Sequence, residues 1–123
     1  MVPVVVDTNM FLSIFELKLD ILSLIDQECG VGKYCTISLV VDELRKMRDK
    51  HAVMALHVLQ NVPIYDVSLD ESKGVKTVDD ALLHFCEENK AILATQDKEL
   101  INRAKSKHLK TMQIRQKKYI IIR

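Results

Sequence analysis

Two aspartates in this chain each close a short run of apolar and β-branched residues: Asp7 ends "VPVVVD" and Asp97 ends "AILATQD". A carboxylate at the tip of a buried-type strand has two ordinary uses. It caps the helix that follows by accepting a bond from a first-turn amide, or it faces a ligand in the crevice beyond the carboxyl edge of a parallel sheet. For either aspartate alone the cap is the simpler role. Two strands of one parallel sheet bringing carboxylates to the same edge is more than capping requires.

Helical segments supply further acids, which the helical period sorts. In "LVVDELRKM" the residues Leu39, Val40, Val41, Leu44 and Met47 form one apolar face. At about 100° per residue, Glu43 lies roughly 70° from the centre of that face and Asp42 nearly opposite it. Glu43 should border the core and Asp42 should be solvated. In "VDDALLHFC" the inward set is Val78, Ala81, Leu82, Phe85 and Cys86. Asp79 then lies about 80° off centre and Asp80 close to 180° off, so Asp79 is the better inward acid. First-turn geometry is loose, and Asp80 stays a candidate.

If the sheet is ordered so that these ends meet, Asp7, Glu43, Asp79 and Asp97 share one pole. Unpaired carboxylates raise one another's pKa values, and a hard divalent cation relieves that repulsion. Oxygen-only ligation suits Mg²⁺ or Mn²⁺. A metal pair roughly 3.5 to 4 Å apart can activate water and stabilise the leaving oxygen of a phosphodiester. The chemistry expected of such a pole is that of a nuclease.

The elements that must position these acids follow from alternating short apolar runs and amphipathic segments. "VPVVV", "YCTIS", "IYDV", "AILAT", "TMQI" and "KKYIIIR" read as strands. "FLSIFEL", "DILSLIDQE", "VDDALLHFCEENK" and "DKELINRAKSK" read as helices, and "LVVDELRKMRDKHAVMALHVLQN" as one helix or two ended by Pro63. "SLDESKGVKT" reads as a loop. This order predicts a three-layer α/β/α sandwich with a mostly parallel central sheet. At 123 residues the chain is expected to form a single domain, residues 1–123.

A hydrophobic fraction of 48% with 28% charged residues describes an ordinary globular composition. No apolar stretch reaches the roughly 18 to 20 residues that span a bilayer, and "MVPVVVD" has no basic leader, so a cytoplasmic setting is expected. Cys29, Cys35 and Cys86 form no C-x-x-C pair, which predicts reduced thiols rather than a metal or disulfide framework. The net charge of +1 conceals a polarity. Residues 1–96 hold 9 Lys+Arg and 15 Asp+Glu, whereas residues 97–123 hold 9 and 2. Such separation can set a cation-binding site beside a polyanion-binding surface. Lys98, Arg103, Arg115, Lys117 and Lys118 are the expected contacts to RNA phosphates, which give affinity without sequence choice. Tyr119, within "KKYIII", is expected to pack the sheet.

Together "VVVDTNMFL", "VVDELRKM", "VDDALLHFCEENKAILATQDKEL" and "IRQKKYIII" resemble a PIN-domain ribonuclease over essentially the whole chain, in order and at the expected spacing. The family's strand-end D-T-N falls on Asp7, Thr8 and Asn9, its central helix glutamate on Glu43, and its T-x-D on Thr95 and Asp97. Its D-x-x-[IL] falls on Asp79 and Leu82; shifting it to Asp80 would put His84 and Glu87 where apolar residues are expected. The resemblance implies Mg²⁺- or Mn²⁺-dependent endonucleolytic cleavage of single-stranded RNA. Metal would be held by Asp7, Glu43, Asp79 and Asp97, supported by Thr8, Asn9 and Thr95. The "DTNMF" start and "RQKKY" ending look closer to the ribosomal-RNA-processing branch than to the VapC toxins. That implies a ribosome-assembly partner, or an antitoxin in the neighbouring branch, and a homodimer using residues 11–25 or 53–59. Gln96 departs from the Asn or Arg that many relatives carry there.

Two other classes compete. A phosphoacceptor receiver module has similar length and sheet topology, but it needs paired acids after the first strand and a free aspartate after the third. Here one acid ends the first strand and "IYDV" places Asp66 inside the third. A catalytically silent PIN scaffold binding RNA or protein would ordinarily lack the acids that are present.

Overall fold

β-Branched residues buried on both sides build the middle of a parallel sheet, and Val4–Val6 (β1) are fully buried. The computed structural model describes residues 2–123. After β1 come α1 (Thr8–Glu16), α2 (Ile21–Cys29), β2 (Tyr34–Ile37), α3 (Ser38–Lys46), α4 (Lys50–Val58), β3 (Ile64–Tyr65), α5 (Val78–Asn89), β4 (Ile92–Ala94), α6 (Lys98–Ser106), β5 (Thr111–Arg115) and β6 (Tyr119–Ile122). Single 3-10 turns at Leu59–Asn61 and Glu71–Lys73 complete the set. The result is the expected α/β sandwich.

The sheet order is β3-β2-β1-β4-β5-β6, parallel throughout except for the antiparallel β5–β6 hairpin. From β1 the chain moves outward through β2 to β3, then returns to the other side of β1 for β4 and β5. The direction therefore reverses between β1 and β4, and their carboxyl ends frame the crevice where such sheets bind ligands. A receiver module's 2-1-3-4-5 order differs at this point, so the topology removes that alternative and corrects the expected likeness of sheet order. Nor does Asp66 lie inside the third strand, as "IYDV" predicts. β3 is only two residues long, so Asp66 lies just beyond the strand, where its Oδ1 accepts from Ser38 Oγ at 3.3 Å.

Local chemistry sets several boundaries. Pro3 has no N–H for the ladder, and β1 begins at Val4 rather than Val2. The long helical stretch divides at Met47–Asp49, where Asp49 caps α4 by accepting from Ala52 N at 2.8 Å. Gly30 ends α2 at φ 100°, a conformation that costs a residue without Cβ little. Of the two segments expected to offer a dimer surface, residues 11–25 turn Phe11, Ile21 and Ile25 into the core, whereas α4 leaves Val53 53% and Met54 44% exposed. Among the described residues no helix is long and apolar enough to cross a membrane. The cysteines are free, and burial pushes the Cys35 thiol up to about 11 and Cys86 up to about 12.

One core cluster runs from β1, β2 and β4 into α1, α3, α5 and α6. Leu82, one turn after Asp79 on α5, is fully buried in it. Leu82→Ala is expected to cost about 2 to 5 kcal/mol, seen as a lower urea midpoint with an unchanged slope.

Candidate active site

Strand register brings the first two acids together. β1 and β4 pair Val6 with Ala94, so the next residues, Asp7 and Thr95, emerge side by side at the crevice. The Asp7 amide donates to Ala94 O at 3.0 Å, the last bond before the strands part. Asp7 caps α1, and Oδ1 accepts from Thr8 N at 2.7 Å. Its other oxygen, Oδ2, accepts from Thr95 Oγ1 at 2.8 Å. The capping role and the crevice position thus coincide in one residue.

The side chain of Asp7 is 5% exposed. Burial pushes its pKa up to about 6, the charges of Asp79 and Glu43 push the same way, and the bonds from Thr95 and Thr8 oppose them. Glu43, half-buried on α3, accepts from Thr8 Oγ1, while Asp42 beside it is exposed, as the helical period predicts. Thr8 thereby links the first strand end to the central helix.

The first turn of α5 separates its two acids. Thr77 and Asp80 form a capping box: Asp80 N donates to Thr77 Oγ1 at 3.1 Å, and Asp80 Oδ2 accepts from Thr77 N at 3.2 Å. The other oxygen, Asp80 Oδ1, accepts from Arg103 Nη2 at 2.6 Å. Arg103, ahead of the amides, draws the Asp80 pKa down to about 2. Asp80 is therefore committed to the helix cap and the arginine. Asp79 has its pKa raised, first by burial, then by Asp97, with Glu43 and Asp80 adding and Arg103 opposing.

Asp97 caps α6, with Oδ1 accepting from Glu99 N at 2.9 Å and Leu100 N at 3.2 Å. The loop before it is pinned: Asn9 Oδ1 accepts from Gln96 N at 3.0 Å, and Thr95 Oγ1 accepts from Asp97 N at 3.2 Å. Four elements thus carry Asp7, Glu43, Asp79 and Asp97 to one edge, where their charges act on one another. The arrangement is open. Among the described residues no three His, Cys, Asp or Glu side chains converge into a ready ligand cage, as expected where like charges face each other without a counter-ion. A donor set made only of carboxylate oxygens, two with raised pKa values, fits a hard divalent cation better than a soft one.

The basic residues divide into two groups. Lys98 opens α6, and Arg115, Lys117 and Lys118 surround the β5–β6 turn, all exposed. Because β5 runs parallel to β4, that turn lies at the same carboxyl edge as the acids. Arg103, expected to meet phosphate, instead holds Asp80, and Lys107 Nζ lies 3.3 Å from Glu87 Oε1. Tyr119 begins β6 with 43% of its surface exposed, so its ring packs the sheet less than expected. Sequence reasoning missed two features. Ser38 Oγ accepts from Val67 N at 2.9 Å and anchors the loop after β3; a serine between a strand and a helix was the available signal. The Gln96 side chain accepts from Ile114 N at 2.7 Å, a contact 18 residues away that no local pattern announces.

Comparison with known proteins adds three likenesses. The chain is 29% identical over 122 residues to ribonuclease VapC9 of Archaeoglobus fulgidus, covering 96% of this chain and 87% of that protein. Its fold is similar to that of the PIN domain endonuclease Utp24, with a TM-score of 0.76 at 20% identity over 97% of this chain and 89% of the other. The structure of PAE2754 from Pyrobaculum aerophilum aligns with a TM-score of 0.51 at 21% identity, over 83% and 79% of the two chains. No family model matches.

The two shifted aspartates act oppositely on stability. For Asp80 the folded pKa is depressed, so its contribution is present above the ordinary 3.8 and lost as pH falls through about 2. Asp80→Ala is expected to lose about 1 to 2 kcal/mol at neutral pH, with the gap to wild type closing in acid, measured by urea melts across that range. For Asp7 the folded pKa is raised, so the contribution is full below 3.8 and lost as pH rises through about 6. Asp7→Asn is expected to stabilise the metal-free protein above neutrality by up to about 3 kcal/mol, at roughly 1.4 kcal/mol per pH unit. Below about pH 4 the gain should vanish, as thermal melts in EDTA would show.

Proposed function

We propose that the chain is a member of the PIN-domain ribonuclease family and a divalent-metal-dependent endoribonuclease cleaving single-stranded RNA, acting in RNA processing. The observation that carries the reading is the delivery of four carboxylates from four elements to one edge at the switch point of the sheet, close enough for their charges to act on one another, with Asp7 held up to about 6. Asp7, Glu43, Asp79 and Asp97 would hold Mg²⁺ or Mn²⁺. When bound there, the metal would supply an acidified water and positive charge facing the scissile phosphate.

The residues of the chain prepare that site. Thr8 N and Thr95 Oγ1 each take one lone pair on a different oxygen of Asp7, fixing the plane of its carboxylate. Thr8 Oγ1 does the same for Glu43, and the α6 amides for Asp97. Such fixed ligands lose little freedom on binding a cation or substrate. Lys98, Arg115, Lys117 and Lys118, exposed at the same edge, would grip flanking phosphates. Their charge attracts RNA of any sequence and makes affinity fall with salt.

The likeness to VapC9 favours a second reading, a toxin ribonuclease restrained by an antitoxin. Arrest of growth on expression, relieved by a co-expressed neighbouring protein, would select it over RNA processing.

Cleavage of a labelled single-stranded RNA should require Mn²⁺ or Mg²⁺, stop in EDTA, and fall by at least about a thousandfold in Asp7→Asn. Mn²⁺ should also raise the melting temperature of wild type but not of Asp7→Asn. Metal-independent cutting, or cutting unchanged in the variant, would remove this reading.

A further inference from the structure

Gln96 is the middle residue of Thr95-Gln96-Asp97, and its side chain points away from the carboxylates toward β5. The β4–β5 ladder ends when Thr95 N donates to Met112 O at 3.1 Å, because beyond it the chain turns into α6. Two residues further along β5, the amide of Ile114 still points to the β4 side. In the β5–β6 hairpin Thr111 exchanges both of its bonds with Arg123, and directions alternate along an antiparallel strand. No β4 backbone remains to receive that amide. Gln96 Oε1 does so, at 2.7 Å, and Ile114 is 8% exposed.

Immediately after Ile114 comes the basic turn. Arg115 pairs with Tyr119 across the hairpin, and Lys118 N donates to Arg115 O at 3.0 Å. The central residues Gln116 and Lys117 are both left-handed, at φ 53° and 56°. For residues with a Cβ this conformation costs roughly 1 kcal/mol or more each, so the turn needs an anchor to keep one shape. On its backbone side Gln96 is held by Asn9, and Thr95 is held to Asp7. The Asp7–Thr95 bond, the Thr95–Gln96 peptide and the Gln96–Ile114 bond thus connect the acids to the hairpin, with Asn9 holding the Gln96 backbone in place.

We propose that Gln96 is a positioning residue that fixes the Arg115–Lys118 turn relative to Asp97, setting RNA phosphates held by the hairpin at one distance from the carboxylates. The inference rests on the ribonuclease reading above. It separates two quantities. The cations of the turn set how tightly RNA binds, whereas the tether sets where bound RNA lies, and misplacement lowers turnover rather than affinity.

Gln96→Met keeps the length of the side chain but offers only a weak acceptor. Ile114 amide exchange should rise on the order of fivefold to tenfold in this variant, and Gln96→Glu, with a carboxylate oxygen at the same reach, should restore protection. Single-turnover cleavage at saturating RNA should fall about tenfold in Gln96→Met. RNA affinity, measured in EDTA, should stay within about twofold of wild type. Faster exchange at Ile114 with wild-type turnover would overturn the proposal, as would unchanged exchange. If wild type cleaves nothing, the ribonuclease reading fails separately, and amide shifts on adding a short single-stranded RNA in EDTA decide the tether. Shifts at Arg115–Lys118 that spread to Gln96 and Asp97 in wild type but not in Gln96→Met support it; shifts confined to the turn in both overturn it.

Discussion

A carboxylate buried between two central strands, Asp7 against Thr95, is the constraint around which the molecule is arranged. Burying an acid is unfavourable unless its oxygens are bonded, and only the β1–β4 pairing brings the Thr95 hydroxyl to it. That pairing is also where the chain reverses direction across the sheet. One contact therefore closes the middle of the sheet and opens the crevice. The raised pKa of Asp7 comes from the burial that hydrogen bonds leave uncompensated, with the charges of Asp79 and Glu43 adding to it, and a site for cations benefits from an acid whose charge is poorly solvated.

Around Asp7 the acids differ by what else they do. Asp7 and Asp97 combine helix capping with a place at the crevice, whereas Asp80 gives both oxygens to the cap and to Arg103. Adjacent residues on one helix thus end with opposite pKa shifts: Asp79 upward through burial, Asp80 downward through an arginine. Arg103 also reduces the repulsion felt by Asp79. It stabilises a cluster that would otherwise be more strongly self-repelling in the absence of metal.

Much of this was legible in the residues, for stated reasons. Valine-rich runs marked β1 and β4, and strand ends in an α/β order pointed Asp7 and Asp97 to one edge. The helical period separated Glu43 from Asp42 because α3 is amphipathic, with Val40, Val41 and Leu44 buried on one side. Asp80 stays a candidate ligand by sequence, although its spacing from Thr77 is that of a capping box. The strand order was not legible, because helix-crossover lengths do not say on which side of β1 the chain returns. Nor were the pairs across long separations: Arg103 with Asp80, or Gln96 with Ile114. "IYDV" looked like a full strand, yet at the edge of the sheet only Ile64 and Tyr65 gain a partner.

The charge polarity of the chain takes its meaning from these pairs. Residues 97–123 hold 9 Lys+Arg, which by sequence alone reads as a surface for a polyanion. Arg103 on α6 and Lys107 just past its end are instead occupied by Asp80 and Glu87 of α5. The basic segment thus does two things at once. Its helix neutralises the acidic helix beside it, and its hairpin carries exposed cations to the edge where the carboxylates stand. A surface that was basic throughout would hold RNA anywhere along α6. With Arg103 and Lys107 paired, four of the seven remaining cations, Lys98 with Arg115, Lys117 and Lys118 of the β5–β6 turn, stand beside the acids, whereas Lys105, Lys110 and Arg123 lie elsewhere, so that an electrostatic attraction with no sequence preference still acquires a direction.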